Sequence, residues 1–210
     1  MKYFVINFLI ASLLGLFFVG CNNPQSNKKL KTIENLKAAY LLETTASIKY
    51  AAFAQKTKEE GMERLSVLFL SVSKAKSIYS DNFKAEILKL GAKVDSVKPE
   101  FVVNTTLLNL HAANESETDE FTKLYPKFIK DAREEKSENA EKLFTWILET
   151  EKKHTVFFGD AIQSIKQNWT NAFYTLYFIC PSCGNIYYPH QSEDVCKICG
   201  TQKSKFIHIG

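Results

Sequence analysis

The sequence predicts an all-α four-helix bundle followed by a small metal domain built from β-hairpin loops. Three observations carry this reading. From Thr32 to about Trp169, apolar residues recur every three or four positions with hardly a helix breaker. Between Cys180 and Gly200, two Cys-x-x-Cys-Gly loops stand twelve residues apart. Ahead of both, Tyr3–Gly20 is an almost unbroken apolar run behind Lys2. With 210 residues, 45% of them hydrophobic and 13% aromatic, the chain can bury a sizeable core, and disorder is excluded.

The apolar run contains only Asn7 and Ser12 as strongly polar residues, and a charged start before such a segment marks a secretory signal. It ends in Phe18-Val19-Gly20-Cys21, which resembles the lipobox of bacterial lipoproteins, where small residues precede a cysteine that is diacylated and becomes the mature N-terminus. The expectation is a signal peptide over residues 1–20 and a lipidated tether over 21–31, with Pro24, Ser26, Lys28, Lys29 and Lys31 in it. The chain is then exported and lipid-anchored through Cys21 to a bacterial membrane, on its periplasmic or cell-surface side. An uncleaved anchor is the alternative, because eighteen mostly apolar residues are borderline for spanning a bilayer.

Residues 32–170 are expected to form the bundle. Thr32 can cap the first helix, whose seam runs Leu36, Tyr40, Glu43, Ser47, Tyr50, Ala54. Gly61 marks a turn, and the second seam is Leu65, Leu68, Val72, Lys76, Tyr79, Phe83, Leu90. Gly91 to Asn104, with Pro99, is long enough for a crossover. The third seam reads Leu110, Ala113, Glu117, Glu120, Leu124, Phe128. After a charged turn at Lys136-Ser137 the fourth reads Ala140, Phe144, Ile147, Glu151, His154, Phe158, Ala161, Ile165.

Each seam is interrupted near its middle by residues that dislike burial. Glu43 lies 18 residues before Gly61 and Lys76 lies 15 after it. Glu120 lies 16 residues before Lys136 and Glu151 lies 15 after it. In antiparallel hairpins such positions face each other. Glu43, Lys76, Tyr79, Glu117, Glu120, Glu151 and His154 are therefore expected to meet in one layer of the core.

Carboxylates and imidazole on facing helices are the ligands of di-iron and di-manganese bundles. The fourth helix carries Glu151-x-x-His154, the third Glu117-x-x-Glu120, and the first Glu43. The second carries Lys76 and Tyr79 where another Glu-x-x-His belongs, and Asp81, Glu63 and Glu86 are not placed to substitute. Four carboxylates and one lysine give a formal charge of −3 if all are ionised. One divalent ion would leave about −1, an easier state for a buried site than two ions beside an ammonium. One metal, two in an altered site, or a metal-free network with Lys76 salt-bridged and Tyr79 donating a hydrogen bond all stay open.

After Trp169 the composition changes. Cys180-x-x-Cys183-Gly184 and Cys196-x-x-Cys199-Gly200 each form a tight loop that offers two sulfurs to one ion. Together they give tetrahedral S₄ coordination, suited to a single iron or to zinc. The competing reading is a pair of disulfides, which exported thiols form unless a metal holds them. Tyr177, Phe178, Tyr187, Tyr188 and Phe206 can supply the small core of this module.

A bundle with this carboxylate layer, followed by these knuckles, resembles rubrerythrin: a ferritin-like bundle over 32–170 and a rubredoxin-like domain of the zinc-ribbon type over 171–210. Thr32–Ala39 with Glu43 resembles the family's first helix. Glu117-x-x-Glu120 with Leu124-Tyr125-Pro126-Lys127-Phe128 and Ala132–Glu135 resembles its third, and Glu151-x-x-His154 its fourth. The resemblance implies that Cys180, Cys183, Cys196 and Cys199 hold iron and that Glu43, Glu117, Glu120, Glu151 and His154 are surviving di-iron ligands. It also implies peroxide reduction with electrons from the Fe(Cys)₄ site, usually across a head-to-tail homodimer. Lys76 and Tyr79 fall on the family's Glu and His, so one or two non-haem irons in the bundle are left open. Export removes the usual cytoplasmic reductants and leaves the electron donor unidentified.

Two functions of different class follow. The first is an anchored oxidoreductase that reduces peroxide with a modified iron site. The second is a non-catalytic electron-transfer or metal-binding lipoprotein whose di-iron site is degenerate. Nucleic acid is not a partner: of the net charge of +4, Lys2 leaves with the signal and three lysines sit on the tether, while residues 32–170 carry 20 basic against 21 acidic groups. The cysteine count of five is one for lipid and four for metal. His111, His190 and His208 have no partner pattern.

Overall fold

Helix α1 (Leu30–Glu59) and helix α2 (Glu63–Lys89) are joined by a turn in which Gly61 adopts φ +78°, a left-handed backbone that glycine takes without steric cost. This computed structural model describes residues 29–191 and 193–210, so the apolar leader and Cys21 lie outside the described residues. Helix α1 starts two residues before Thr32. The backbone N–H groups of Lys31 and Thr32 donate to the Glu135 carboxylate at 3.2 and 2.8 Å. An anion reaching in from another turn satisfies the free N–H groups and the positive helix end, and this displaces the cap expected from the Thr32 hydroxyl.

The chain then crosses without regular secondary structure to helix α3 (Thr106–Asp119), as the Gly91–Asn104 pattern leads one to expect. Helix α3 runs into a π-helical turn, Glu120–Leu124, and on into helix α4 (Tyr125–Glu134), so the third rod of the bundle is α3, π turn and α4 together. Helix α5 (Glu138–Lys166) completes the bundle.

The expected seams largely point inward: Leu36, Leu65, Leu68, Val72, Phe83, Leu110, Ala113, Phe144, Ile147, Phe158 and Ala161 are buried. Tyr40, Leu90 and Ile165 of the expected seams are only partly buried, and the register differs at two further places. On α1 the buried position is Ala46, while Ser47 is half-buried and donates to the Ser73 carbonyl at 3.0 Å. On the third rod the seam steps five residues, from Glu120 to Tyr125 and then Phe128, because the π turn inserts one residue into the helical repeat. Leu124, expected on the seam, is thereby rotated to a half-buried position.

Beyond α5, strands β1 (Tyr177–Ile179), β2 (Ile186–Tyr187) and β3 (Ile207–Ile209) form an antiparallel sheet in the order β2-β1-β3. The expected hairpin is β1–β2, with Phe178 opposite Tyr187 and Ile179 opposite Ile186. Tyr177, Ile179 and Ile186 join the bundle's own core. The small domain therefore rests on the bundle, and Asn82 on α2 donates to the Ser182 carbonyl at 2.8 Å. Among the described residues, no helix is long and apolar enough to cross a membrane.

Candidate metal centres

All four rods contribute to one buried polar layer. It is sealed on one side by Tyr50, Phe53, Phe69 and Phe158, and on the other by Phe83, Tyr125, Phe128 and Phe144. At its centre stands the Lys76 ammonium. Its Nζ lies 3.1 Å from Glu43 Oε2, 3.0 Å from Glu117 Oε1, 2.9 Å from Glu120 Oε2 and 2.8 Å from Glu151 Oε1. Lys76, Glu43, Glu117 and Glu151 have no solvent exposure. One cation thus binds one oxygen of a carboxylate from each expected helix.

The second oxygens have separate partners. Tyr125 donates to Glu43 Oε1, and Ser116 donates to Glu120 Oε1 at 2.8 Å. Glu117 Oε2 lies 3.0 Å from His154 Nδ1, and Glu151 Oε2 lies 3.7 Å from the same nitrogen. Tyr50 donates to Glu117 Oε1 at 2.7 Å. Glu151 Oε2 and His154 Nε2 are buried and have no hydrogen-bond partner.

Burial alone would raise the carboxyls of Glu43, Glu117 and Glu120. For Glu117, the ammonium together with the His154 and Tyr50 hydrogen bonds overcomes it and holds the group at about 2. For Glu43 burial wins, and the carboxyl is pushed up to about 7. Glu120 is raised for the same reason. Burial disfavours charged Lys76, yet Glu117, Glu120 and Glu43 together raise it well above the ordinary lysine range.

Six of the seven residues expected in the layer meet there. The seventh, Tyr79, differs in its role: its hydroxyl donates to Thr150 Oγ1 at 2.6 Å instead of to a glutamate. Its ring lies 5.9 Å from Lys76 Nζ and stacks at 6.4 Å on His154. Tyr50 and Tyr125 were not assigned to the layer from sequence. Tyr50 lay on the expected seam without a role, and Tyr125 reaches Glu43 only because the π turn rotates it inward.

In the second cluster, Sγ of Cys180 and Cys199 are 3.4 Å apart, as are Sγ of Cys183 and Cys196. All four sulfurs lie within 4.8 Å of one another, and none forms a disulfide. Sulfurs around one tetrahedral ion stand about 3.8 Å apart for bonds near 2.3 Å, so this donor set fits a single iron or zinc. Sulfur contacts with Cys180 and Cys183 lower Cys196 below the usual thiol range, while contacts with Cys180 and Cys196, together with burial, raise Cys183.

The two clusters touch. Gly184, in the first knuckle, adopts φ +71°, and a Cβ added there would stand 2.2 Å from Tyr79 Cε1. Beside this contact, Lys153 Nζ on α5 donates to Asn185 Oδ1 at 2.7 Å.

Compared with known proteins, the sequence matches the Rubrerythrin family model over residues 34–162. The chain belongs to the rubrerythrin family. Rubrerythrin-2 of Clostridium acetobutylicum is 31% identical over 183 residues, covering 86% of this chain and 98% of that protein. Nigerythrin of Nitratidesulfovibrio vulgaris is 32% identical over 180 residues, covering 83% and 85%. A fully reduced, all-ferrous nigerythrin structure superposes with a TM-score of 0.75 at 30% identity, covering 84% of this chain and 86% of that one. The bundle is ferritin-like and the cysteine domain rubredoxin-like.

The cysteine cluster fits the family's iron. Among the described residues of the bundle, two groups bring their donor atoms within 4.8 Å of one another, close enough to share an ion: Glu117/Glu151/His154 and Glu43/Glu120/Glu151. The first matches the expected ligands and carries unpartnered buried atoms. The second surrounds Lys76 Nζ.

Proposed function

We propose that this rubrerythrin passes electrons between its cysteine-held iron and the carboxylate layer of the same chain, and that it uses them to reduce hydrogen peroxide. The observation that carries this reading is the seating of the Cys180–Cys183 loop, through Gly184, on the Tyr79 ring beside Lys76 and His154. Reduction of one peroxide consumes two electrons and two protons, breaks the O–O bond and yields two waters. Oxidation of one cysteine-held Fe(II) to Fe(III) gives one of those electrons, and the second comes from another such oxidation, in a second chain or in the same chain after the external donor has re-reduced its iron.

The layer also has an entrance. Glu120 lines an open cleft of about 500 Å³ with Leu42, Ser116, Asp119, Lys123, Leu124 and Lys127. A small neutral oxidant can approach there, at the start of the π turn. Such turns recur at functional sites because they free backbone and side chains from the regular repeat. Glu120 is held by Lys76 on one oxygen and by Ser116 on the other, so it can take or give a proton at the cleft floor without leaving its place.

In the test, protein reduced without oxygen is mixed with hydrogen peroxide while the visible bands of ferric Fe(Cys)₄ are followed. Reoxidation is expected to be fast in the intact protein. In His154→Ala it is expected to be at least tenfold slower, a modest loss against the roughly hundredfold cost of misplacing a reacting group. Equal slow reoxidation in both proteins would contradict the reading. It would favour a non-catalytic electron carrier, to which the lysine in the layer also lends support.

The same reading includes export and lipid attachment at Cys21, a homodimer, and a donor outside the cytoplasm. The apolar run ending at Phe18-Val19-Gly20-Cys21 supports the attachment. Labelled palmitate is expected to enter the wild-type protein in bacteria and not Cys21→Ala. Equal labelling of both would remove the lipoprotein from the account.

A further inference from the structure

We infer that the bundle holds one divalent metal ion, bound by Glu117, Glu151 and His154, and that the Lys76 ammonium permanently fills the place of a second. The inference departs from the paired centre that the family resemblance implies. It rests on the proposed function in one respect: the cysteine site carries an ion of its own.

Glu117 and Glu151 each split their two oxygens. Glu117 Oε1 and Glu151 Oε1 hold Lys76 Nζ at 3.0 and 2.8 Å, while Glu117 Oε2 and Glu151 Oε2 face His154 Nδ1 at 3.0 and 3.7 Å. This is how a carboxylate bridges two cations, except that one of the two is an ammonium. Donors around a metal with bonds near 2.1 Å stand about 3.0 to 3.4 Å apart, close to the separations on the His154 side. On the Lys76 side, Glu43 Oε2, Glu120 Oε2 and Glu151 Oε1 are already closed around nitrogen. A divalent ion there would have to displace a buried ammonium. Helix α2 offers no replacement ligand, because the Tyr79 hydroxyl is committed to Thr150, which in turn donates to the Ile147 carbonyl.

Two independent facts call for a cation on the His154 side. Glu151 Oε2 is fully buried and unpartnered, a condition that native structures seldom leave without a ligand. The layer holds four carboxylates against one ammonium, with at most 4% exposure at any of the five groups. With all four ionised its formal charge is −3, and a single divalent ion, which favours the ionised carboxylates, brings it to −1. Two carboxylates and one imidazole suit iron(II) or manganese(II), whereas the four thiolates suit iron or zinc.

The test counts metal ions per chain in full-length protein loaded with iron(II) without oxygen and freed of excess metal. Two ions are expected in the wild type, one of them on the cysteines. His154→Ala is expected to hold one ion with its Fe(Cys)₄ bands intact, and these bands report that the variant is folded. Lys76→Glu is expected to hold three. One ion or three in the wild type would overturn the inference, as would an unchanged count in folded His154→Ala. The count does not depend on whether peroxide reoxidises the cysteine site, so the two proposals fail separately.

Discussion

Lys76→Met is expected to lower the melting temperature by roughly 10 °C or more. Removing one partner of a buried ion pair costs about 3–5 kcal/mol, and about 2–4 °C is lost per kcal/mol in a protein of this size. The side chains are nearly equal in length and the methionine packs as well, so lost volume does not account for the fall. The cause is four carboxylates left in an apolar sleeve with no charge to face them. Added iron(II) or manganese(II) is expected to restore more of the lost stability in the variant than it adds to the wild type, since the emptied space can then take an ion. Differential scanning calorimetry with and without the ion checks both parts. A variant that melts within about 2 °C of the wild type would show that the ammonium is dispensable, because even a single lost kcal/mol shifts the midpoint by that much.

Gly184→Ala is expected to uncouple the two centres while leaving the cysteines to bind their ion. An added Cβ would stand 2.2 Å from Tyr79 Cε1 and 3.0 Å from Cζ, and the φ of +71° is itself unfavourable for alanine. The backbone contributes about 1–2 kcal/mol of strain and the clash about 1–3 kcal/mol. The loop can relieve the clash only by lifting away from Tyr79, and therefore from the layer. The Fe(Cys)₄ spectrum should persist, while peroxide-driven reoxidation falls by about tenfold or more. Tyr79→Ala combined with Gly184→Ala removes the clash but opens a cavity that costs about 3–5 kcal/mol, so neither stability nor rate should return. A rate unchanged by Gly184→Ala would mean that electrons do not pass at this contact.

The position of the layer was legible in the sequence because it depends on little more than helix rise. Glu43 and Lys76 sit at similar distances from Gly61, and Glu120 and Glu151 at similar distances from Lys136, so antiparallel packing brings them level. The cysteine cluster was legible because each loop closes over three residues and needs no tertiary information to aim its sulfurs. What escaped depended on the chain departing from its own period. The π turn at Glu120 keeps an apolar residue at Leu124, so the three-and-four repeat looks unbroken, yet Tyr125 is the residue that turns inward to Glu43. Tyr79 falls in the expected layer, but its hydroxyl partner, Thr150, is one position off the seam, where the three-and-four repeat gives it no inward role. Nor does a sequence state which bundle a small domain rests on. The structure shows it in the contacts of Gly184 with Tyr79 and of Asn82 with Ser182, partners a hundred or more residues apart in the chain.

The central claim is that an ammonium and one metal ion share a site built by the fold for two cations. Diffraction from crystals grown without oxygen, recorded on either side of the iron absorption edge, tests it most directly. The account predicts two anomalous peaks per chain, one among Cys180, Cys183, Cys196 and Cys199 and one among Glu117, Glu151 and His154. Lys76 Nζ should then lie between the four glutamates with no peak beside it. A peak within bonding distance of Glu43 and Glu120, with Lys76 turned out of the layer, would contradict it.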